Sequence, residues 1–354
     1  MRQLFANPRA GLIVGALVLL GVAALSTTRA DEKQTAALLK TFVEEFVLIT
    51  PGEGKFPASF QMGSKEGDAS EQPQHEVTFK YKFAMARYEV PQNLYEAVLG
   101  HNPSKWKGPR NSVEMMSWDD AYAFCEKITD QLRDAKLIAA NEVIRLPTEA
   151  EWEYCCRAGT TTKYSFGDEA QPAGEKSFDV ILTGFGDNKI GMIKIVREAT
   201  KLGLKEAKDL IESLPKPLRL VLSEKELSKL KSEIDEAGGT YKVRPALLLD
   251  RYGWHTGNAE GNDPPIGALK PNPWGLYDMH GYLWEFTADC WSSDYKQTPT
   301  DGNARQSDRC KTFVARSGSW KDRFEKLTST TRRKVSEAEA DDAIGFRCVK
   351  ATAR

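Results

Sequence analysis

The hydrophobic pattern of the first half of the chain predicts a mixed α+β domain. Apolar and polar residues alternate through Glu76–Val90, and this period of two is typical of β-strands. A run with helical periodicity follows Ser117, which is a suitable N-cap for a helix over 118–134. Thr148 and Glu151 form a capping box at the start of a further helix.

The pattern changes after Asp168 and returns near Pro245. The segment between them alternates short apolar runs with amphipathic stretches in the order β-α-α-β-α-β, and it contains no cysteine. We therefore expect a complete small domain inserted into a loop of the larger one, since loops tolerate such insertions. Its predicted strands are 178–183, 218–222 and 240–244, and its predicted helices are 188–200, 204–213 and 223–237.

Residues 1–30 have the pattern of a secretory signal peptide. Arg2 and Arg9 precede an apolar run, Gly11–Leu25, which ends in small residues. The run is short for a membrane span, although retention as an uncleaved anchor is an alternative. We expect a secreted or periplasmic protein with no membrane span after cleavage, and a polar linker at 31–45.

Composition and cysteine usage refine this picture. A net charge of −1 shows no basic excess, so we expect no nucleic-acid partner. All six cysteines follow the signal, and export permits disulfides. Proximity in sequence suggests Cys290 with Cys310. A bond between the adjacent Cys155 and Cys156 would be strained, which leaves that pair open.

Candidate acid–base residues do not form a recognisable active site. Glu149, Glu151 and Glu153 lie two apart on a predicted helix, so they point to different sides. Caps and salt bridges to Arg145 or Arg157 are the better interpretation. The four histidines match no metal-binding or catalytic motif; they are His75, His101, His255 and His280.

The run Pro271–Phe286, PNPWGLYDMHGYLWEF, places two carboxylates, Asp278 and Glu285, in a loop dense with glycine and aromatic residues. Oxygen ligands crowded into one short loop suit calcium. The alternative is a buried turn whose carboxylates cap backbone N–H groups or pair with arginine. The carbonyls that could complete a calcium site are those of Met279, Gly281 and Leu283.

This run resembles the signature of the formylglycine-generating (sulfatase-modifying factor) family. Further family motifs follow one another in order along the chain: MGS from Met62, SWDDAYAFC from Ser117, RLPTEAEWEY from Arg145, GSW from Gly318 and GFRC from Gly345. The resemblance implies a C-type-lectin-like α+β fold.

The same resemblance implies particular ligands and bonds. It implies structural calcium on Asp278 and Glu285 with the three carbonyls named above, although Tyr282 replaces the family's usual asparagine. It also implies a disulfide between Cys125 and Cys348. Cys156 matches a second family half-cystine, but its partner position is Arg332.

In the oxidase members of that family, two cysteines beyond the G-G-S motif bind copper and oxidise a substrate cysteine. The matching positions here are Asp322 and Leu327. Leucine cannot ligate copper and aspartate is a poor ligand for Cu(I), so copper is not expected. Trp284 and Ser319 match pocket-lining positions, so we expect a cleft that persists without its redox centre.

The inserted segment resembles the C-terminal domain of the large-subunit ribosomal stalk protein. We place it at 177–244, between host parts at 46–176 and 245–351. Counted from Lys176 to Arg244, the segment has a net charge of +3, whereas the remainder of the chain has −4. The stalk family's face for translational GTPases matches Lys189, Ile190, Ile193, Lys194, Arg197 and Lys208, although Ile190 and Ile193 are also spaced to pack inward.

These observations favour an exported, catalytically silent protein that binds an envelope protein or a small ligand. The alternatives are an oxidoreductase that modifies cysteine in sulfatases and a translational partner acting through the insert. The signal peptide argues against the translational partner, since an exported protein does not meet those GTPases.

Overall fold

The structure, a computed structural model, describes residues 32–171, 176–200, 202–259, 264–307 and 309–353. The predicted signal peptide at 1–30 lies outside the described residues. The first described element is helix α1, residues 32–44. Its Leu39 and Phe42 are buried in the main core. The stretch predicted as a polar linker at 31–45 is therefore largely a packed helix, because its apolar residues share one face.

The first sheet of the host domain is antiparallel and has four strands in the order β1-β4-β13-β5. The last strand of the chain, β13, therefore lies inside the sheet and joins the two ends of the host domain. The strands are β1 (Phe46–Ile49), β4 (Phe83–Ala86), β5 (Glu142–Arg145) and β13 (Val349–Thr352).

The second sheet has the order β11-β10-β9-β12, with β12 parallel to β9 and the other pairs antiparallel. Its strands are β9 (Trp284–Cys290), β10 (Thr312–Arg316), β11 (Arg332–Ser336) and β12 (Ile344–Gly345). A separate hairpin pairs β2 (Ser59–Met62) with β3 (His75–Thr78).

Three helices pack on these sheets: α2 (Gln92–Leu99), α3 (Trp118–Asp134) and α4 (Glu149–Arg157). The predicted N-cap at Ser117 of α3 and the predicted capping box at Thr148 of α4 are both present, and Ser117 also forms a capping box, with Asp120. The apolar face of α3 enters one large core with residues of both sheets. Every residue of α4 is buried, which places its three glutamates inside the protein.

The insert has the predicted β-α-α-β-α-β order and its own antiparallel sheet, β7-β6-β8. Its hydrophobic core consists of insert residues alone, among them Val180, Met192 and Ile234. Ser177 and Ala246 are register partners, so the segment leaves and rejoins the host at one point. The elements are β6 (Ser177–Gly184), α5 (Lys189–Thr200), α6 (Leu204–Glu212), β7 (Lys216–Leu222), α7 (Glu224–Glu236) and β8 (Thr240–Ala246).

The predicted α+β class and the inserted domain are thus confirmed. Within the described ranges, no helix combines the length and the apolar character needed to cross a bilayer.

Candidate functional site

The position that matches the first copper-binding cysteine is occupied by Asp322, whose carboxylate is a hydrogen-bond acceptor for its neighbours. Asp322 Oδ2 accepts from the indole N–H of Trp284 at 2.8 Å and from the backbone N–H of Ser319 at 3.0 Å. The Ser319 hydroxyl donates to the same oxygen at 2.5 Å. One aspartate oxygen therefore collects three donors and holds the turn after β10 against the start of β9.

The second position, Leu327, is fully buried. Gly281 and Gly318 lie against the Leu327 side chain, and a Cβ atom on either glycine would come too close to it. Asp322 and Leu327 offer no pair of soft sulfur ligands, so these residues do not fit copper.

Trp284 and Ser319, the predicted pocket-lining residues, are only 5% and 1% exposed. Both donate to Asp322. The described structure gives no support for a cleft at these two residues, and the cleft remains a prediction.

The predicted calcium loop contains a buried ion pair. Both oxygens of Glu285 accept from the guanidinium of Arg347, at 2.6 and 2.7 Å, and Oε2 also accepts from the Trp152 indole at 2.9 Å. A cation at Glu285 would have to displace this guanidinium. The other carboxylate, Asp278, accepts the backbone N–H of Gly267 at 2.7 Å.

Burial raises the pKa of Asp278 to about 6. No group of three or more potential metal-binding side chains occurs among the described residues. As arranged, Asp278 and Glu285 do not fit a calcium ion, and they match the alternative of a capped turn with an arginine pair. Calcium binding with the carbonyls of Met279, Gly281 and Leu283 remains a prediction without support from this geometry.

The glutamates of α4 form a buried ionic network. Glu151 pairs with Arg145 at 2.7 Å and Glu153 with Arg157 at 2.9 Å, as the sequence suggested. Two further arginines join from the second sheet. Burial alone would raise the pKa of Glu149, but Arg332 at 2.5 Å and Arg316 at 2.7 Å hold it below its usual value. Arg332, which replaces a family cysteine, therefore has an ionic role here.

The cysteines fall into three groups. Cys290 and Cys310 lie at disulfide distance, with Cα atoms 5.7 Å apart. Cys125 and Cys348 are buried thiols whose sulfur atoms are 3.9 Å apart, so their oxidation to a disulfide remains a prediction. Cys155 and Cys156 are both buried and free.

His280 lies in the interior next to the copper-site positions. Its Nδ1 lies 3.0 Å from the carbonyl of Leu327, and its Nε2 accepts the backbone N–H of Ser165 at 3.0 Å. Burial lowers the pKa of His280 to about 4, so the ring is neutral at pH 7. This neutral ring ties two loops together.

A polar cleft of about 620 Å³, absent from the sequence-based predictions, opens beside these loops. Its walls are the 63–71 loop and the 325–331 segment, which are linked by a salt bridge of 3.1 Å between Asp68 and Lys326. Deeper in the cleft, Thr330 donates to Glu71 at 2.6 Å. The MGS motif marked one wall, but no sequence signal joined it to Thr330. The lining comprises Gly63, Ser64, Lys65, Glu66, Gly67, Asp68, Glu71, Gln74, Arg157, Thr161, Thr162, Lys163, Asp168, Glu325, Lys326, Thr328, Thr330 and Thr331.

The predicted binding face of the insert is at the surface. Ile190 is 84% exposed, whereas Ile193 is half-buried, so inward packing is wrong for Ile190. Lys189, on the same face of α5, pairs with Glu212 of α6 at 2.9 Å. Leu204 of α6 adds a further exposed apolar side chain. Lys194, Arg197 and Lys208 are also exposed. We call the six predicted residues the insert face.

Comparison with known proteins gives two separate matches. The sequence model described as the Sulfatase-modifying factor enzyme 1-like domain matches residues 33–198 and 233–352. The model of the Ribosomal protein L7/L12 C-terminal domain matches residues 178–244.

Curated relatives of the insert are ribosomal proteins. Large ribosomal subunit protein bL12 of Rhodospirillum rubrum is 39% identical over 119 residues, which is 33% of this chain and 96% of that protein. The bL12 protein of a Sulfurihydrogenibium species is 54% identical over 74 residues, which is 21% of this chain and 58% of that protein.

Two solved structures resemble most of the chain in fold. PvdO from Pseudomonas aeruginosa has a TM-score of 0.54 at 21% identity and covers 84% of this chain and 92% of its own. Treponema denticola variable protein 1 also has a TM-score of 0.54, at 19% identity, covering 87% and 94%. The chain belongs to the sulfatase-modifying factor enzyme 1-like family and carries a ribosomal protein L7/L12 C-terminal domain as an insert.

Proposed function

We propose that this protein is an exported, catalytically silent member of its family that binds a protein partner through the insert face. The observation that carries the first part is the pair Asp322 and Leu327. An oxidase of cysteine needs a redox centre within reach of its substrate, whereas these positions hold a hydrogen-bonded carboxylate and a buried aliphatic side chain. Export rests on the sequence pattern of residues 1–30.

The insert face supports the binding part of the proposal. Ile190 is an exposed apolar side chain, and the exposed Lys194 and Arg197 follow it four and seven positions later, on the same side of helix α5. Apolar residues surrounded by charge are typical of protein–protein contacts. The segment from Lys176 to Arg244 carries +3 in a chain of net −1, so an acidic partner surface would complement it.

Silence is tested by incubating the purified chain with copper and a sulfatase peptide that contains the target cysteine. We expect no formylglycine by mass spectrometry, and turnover would show that the oxidoreductase alternative is correct. The double variant Asp322→Cys with Leu327→Cys is a positive test of the alignment, since it should gain copper binding even if the surrounding residues prevent turnover.

Partner binding is tested by affinity capture from the native envelope with wild type and Ile190→Glu in parallel. A specific partner should be retained by the wild type and lost by the variant, because a charge at the centre of an apolar contact is costly to desolvate. Equal capture by both proteins would rule out the insert face.

A translational role through the insert is the other candidate, favoured by the identity of the insert to bL12 proteins. Cell fractionation separates it from our proposal. An uncleaved chain that co-sediments with ribosomes would favour the translational role, whereas a processed chain in the envelope would favour ours.

A further inference from the structure

The polar cleft has a lining suited to a charged ligand. Apart from two glycines, each of the described residues that line it has a charge, a hydroxyl or an amide. An apolar ligand would leave these groups without hydrogen bonds, whereas a polar ligand can replace the water they bind. Five carboxylates and four cationic side chains line the cleft, so its lining is close to neutral, and the charge of a ligand depends on which of these groups already have partners.

Glu71 is the most enclosed carboxylate of this lining. It is 6% exposed and ends a short 3₁₀ turn, Ala69–Glu71. Its carbonyl accepts from the backbone N–H of Ser64 at 2.9 Å, which closes the 63–71 loop around it. Its Oε2 accepts from Thr330 on the opposite wall at 2.6 Å. The carboxylate is therefore held by both walls before any ligand arrives.

Two cations of the lining are already committed to other groups. Arg157 donates to Glu153, to the carbonyl of Thr162 and to the carbonyl of Gly63. Lys326 pairs with Asp68. Glu71 makes a hydrogen bond to a neutral threonine hydroxyl rather than a salt bridge with either of them. Burial without such a salt bridge raises its pKa.

We propose that the polar cleft binds a ligand with a protonated amine or guanidinium, such as a lysine or arginine side chain in an extended peptide, and that Glu71 accepts its hydrogen bonds. A cation supplied by the ligand would give the enclosed carboxylate a charged hydrogen-bond donor in addition to the Thr330 hydroxyl. Such charge-assisted hydrogen bonds are stronger than those between neutral groups. This site is separate from the insert face and does not depend on it.

The proposal is tested on the full chain with two acetylated and amidated pentapeptides, Gly-Ser-Lys-Ser-Gly and its norleucine analogue. Nuclear magnetic resonance titration should show amide shifts in residues 63–72 and 328–331 with the lysine peptide. The norleucine peptide, which keeps the four side-chain carbons but lacks the terminal ammonium group, should bind at least about tenfold more weakly.

Glu71→Gln removes the charge but keeps an oxygen for Thr330, and it should abolish the preference for lysine. Glu66→Gln, an exposed carboxylate of the same loop, is the matched control and should weaken binding by less than about fivefold. Melting curves establish that both variants fold. If Glu71→Gln does not fold, the comparison of lysine with norleucine on the wild type still decides.

Three results would overturn the proposal. These are no binding of the lysine peptide up to about 1 mM, equal affinity for the two peptides, and an unchanged lysine preference in a folded Glu71→Gln variant.

Discussion

Replacing Arg347 by methionine tests what holds the loop of residues 271–286 in place. Arg347 is fully buried and donates to both oxygens of Glu285 and, at 2.9 Å, to the carbonyl of Tyr277. The methionine keeps most of the aliphatic volume of the arginine side chain but cannot donate hydrogen bonds. Among the described contacts, the Glu285 carboxylate would then keep one side-chain donor, the Trp152 indole. Breaking a buried pair in this way costs about 3–5 kcal/mol, a large part of the stability of a typical domain.

Urea unfolding followed by tryptophan fluorescence measures this loss in the host domain alone, since none of the eight tryptophans lies in the insert. The control is Arg323→Met, which breaks an exposed pair with Glu325 and should change the free energy of unfolding by less than about 1 kcal/mol. Adding Glu285→Gln to the Arg347 variant should recover part of the loss, because no charge is then buried without compensation.

The same experiment with a calcium chelator separates the ion pair from a metal site. With Arg347 as the partner of Glu285, the chelator should leave the wild-type unfolding curve unchanged. A calcium ion bound by the native state would instead add RT ln(1 + [L]/Kd) to stability, and the chelator would remove it. Our reasoning is refuted if Arg347→Met unfolds within about 1 kcal/mol of the wild type or if the chelator destabilises the wild type.

Three further predictions follow from other features. Burial lowers the pKa of His280 to about 4, so the unfolded chain binds a proton at this residue more readily than the folded chain does. The contribution of the neutral ring to stability is therefore complete above about pH 6.5 and is lost as the pH falls towards 4. Over this range, the free energy of unfolding should depend less on pH in His280→Gln than in the wild type. Replacing 177–246 with a short Gly/Ser linker should leave the host's tryptophan unfolding curve unchanged, because the insert has a core of its own, and an insoluble product would contradict this. Mass spectrometry of the exported chain should find Asp31 at its start. Peptide mapping without reduction should find the Cys125 and Cys348 peptides joined, two hydrogens lighter than the sum of the free peptides, and free thiols at these two cysteines would contradict the pairing.

Local features were predictable from the sequence because neighbouring residues determine them. The capping boxes at Ser117, Thr148 and Ser223 each need residues three apart, and all three are present. The insert was predictable as a unit because its apolar periodicity is complete within about 70 residues.

The site was less predictable because distant residues decide it. Whether Glu285 binds a cation or an arginine depends on Arg347, 62 positions away. The hydrogen bond of the Trp284 indole is made with Asp322, 38 positions away. The cleft joins Glu71 to Thr330 across 259 positions. Side-chain chemistry identified Glu285 and Trp284 as candidates. The sequence does not show which distant residues contact them in the folded chain.

The pairing of Ser177 with Ala246 has a thermodynamic consequence for the host. While the insert is folded, Ser177 and Ala246 are held one strand spacing apart, so the folded insert fixes the distance between the two host segments that it connects. When the insert unfolds, the same connection becomes a flexible loop of about 70 residues. Each doubling of loop length costs about 0.6 kcal/mol in closure entropy, so lengthening from roughly five residues to about 70 would cost the host about 2 kcal/mol. A ligand that stabilises the insert would therefore also stabilise the host, without touching it.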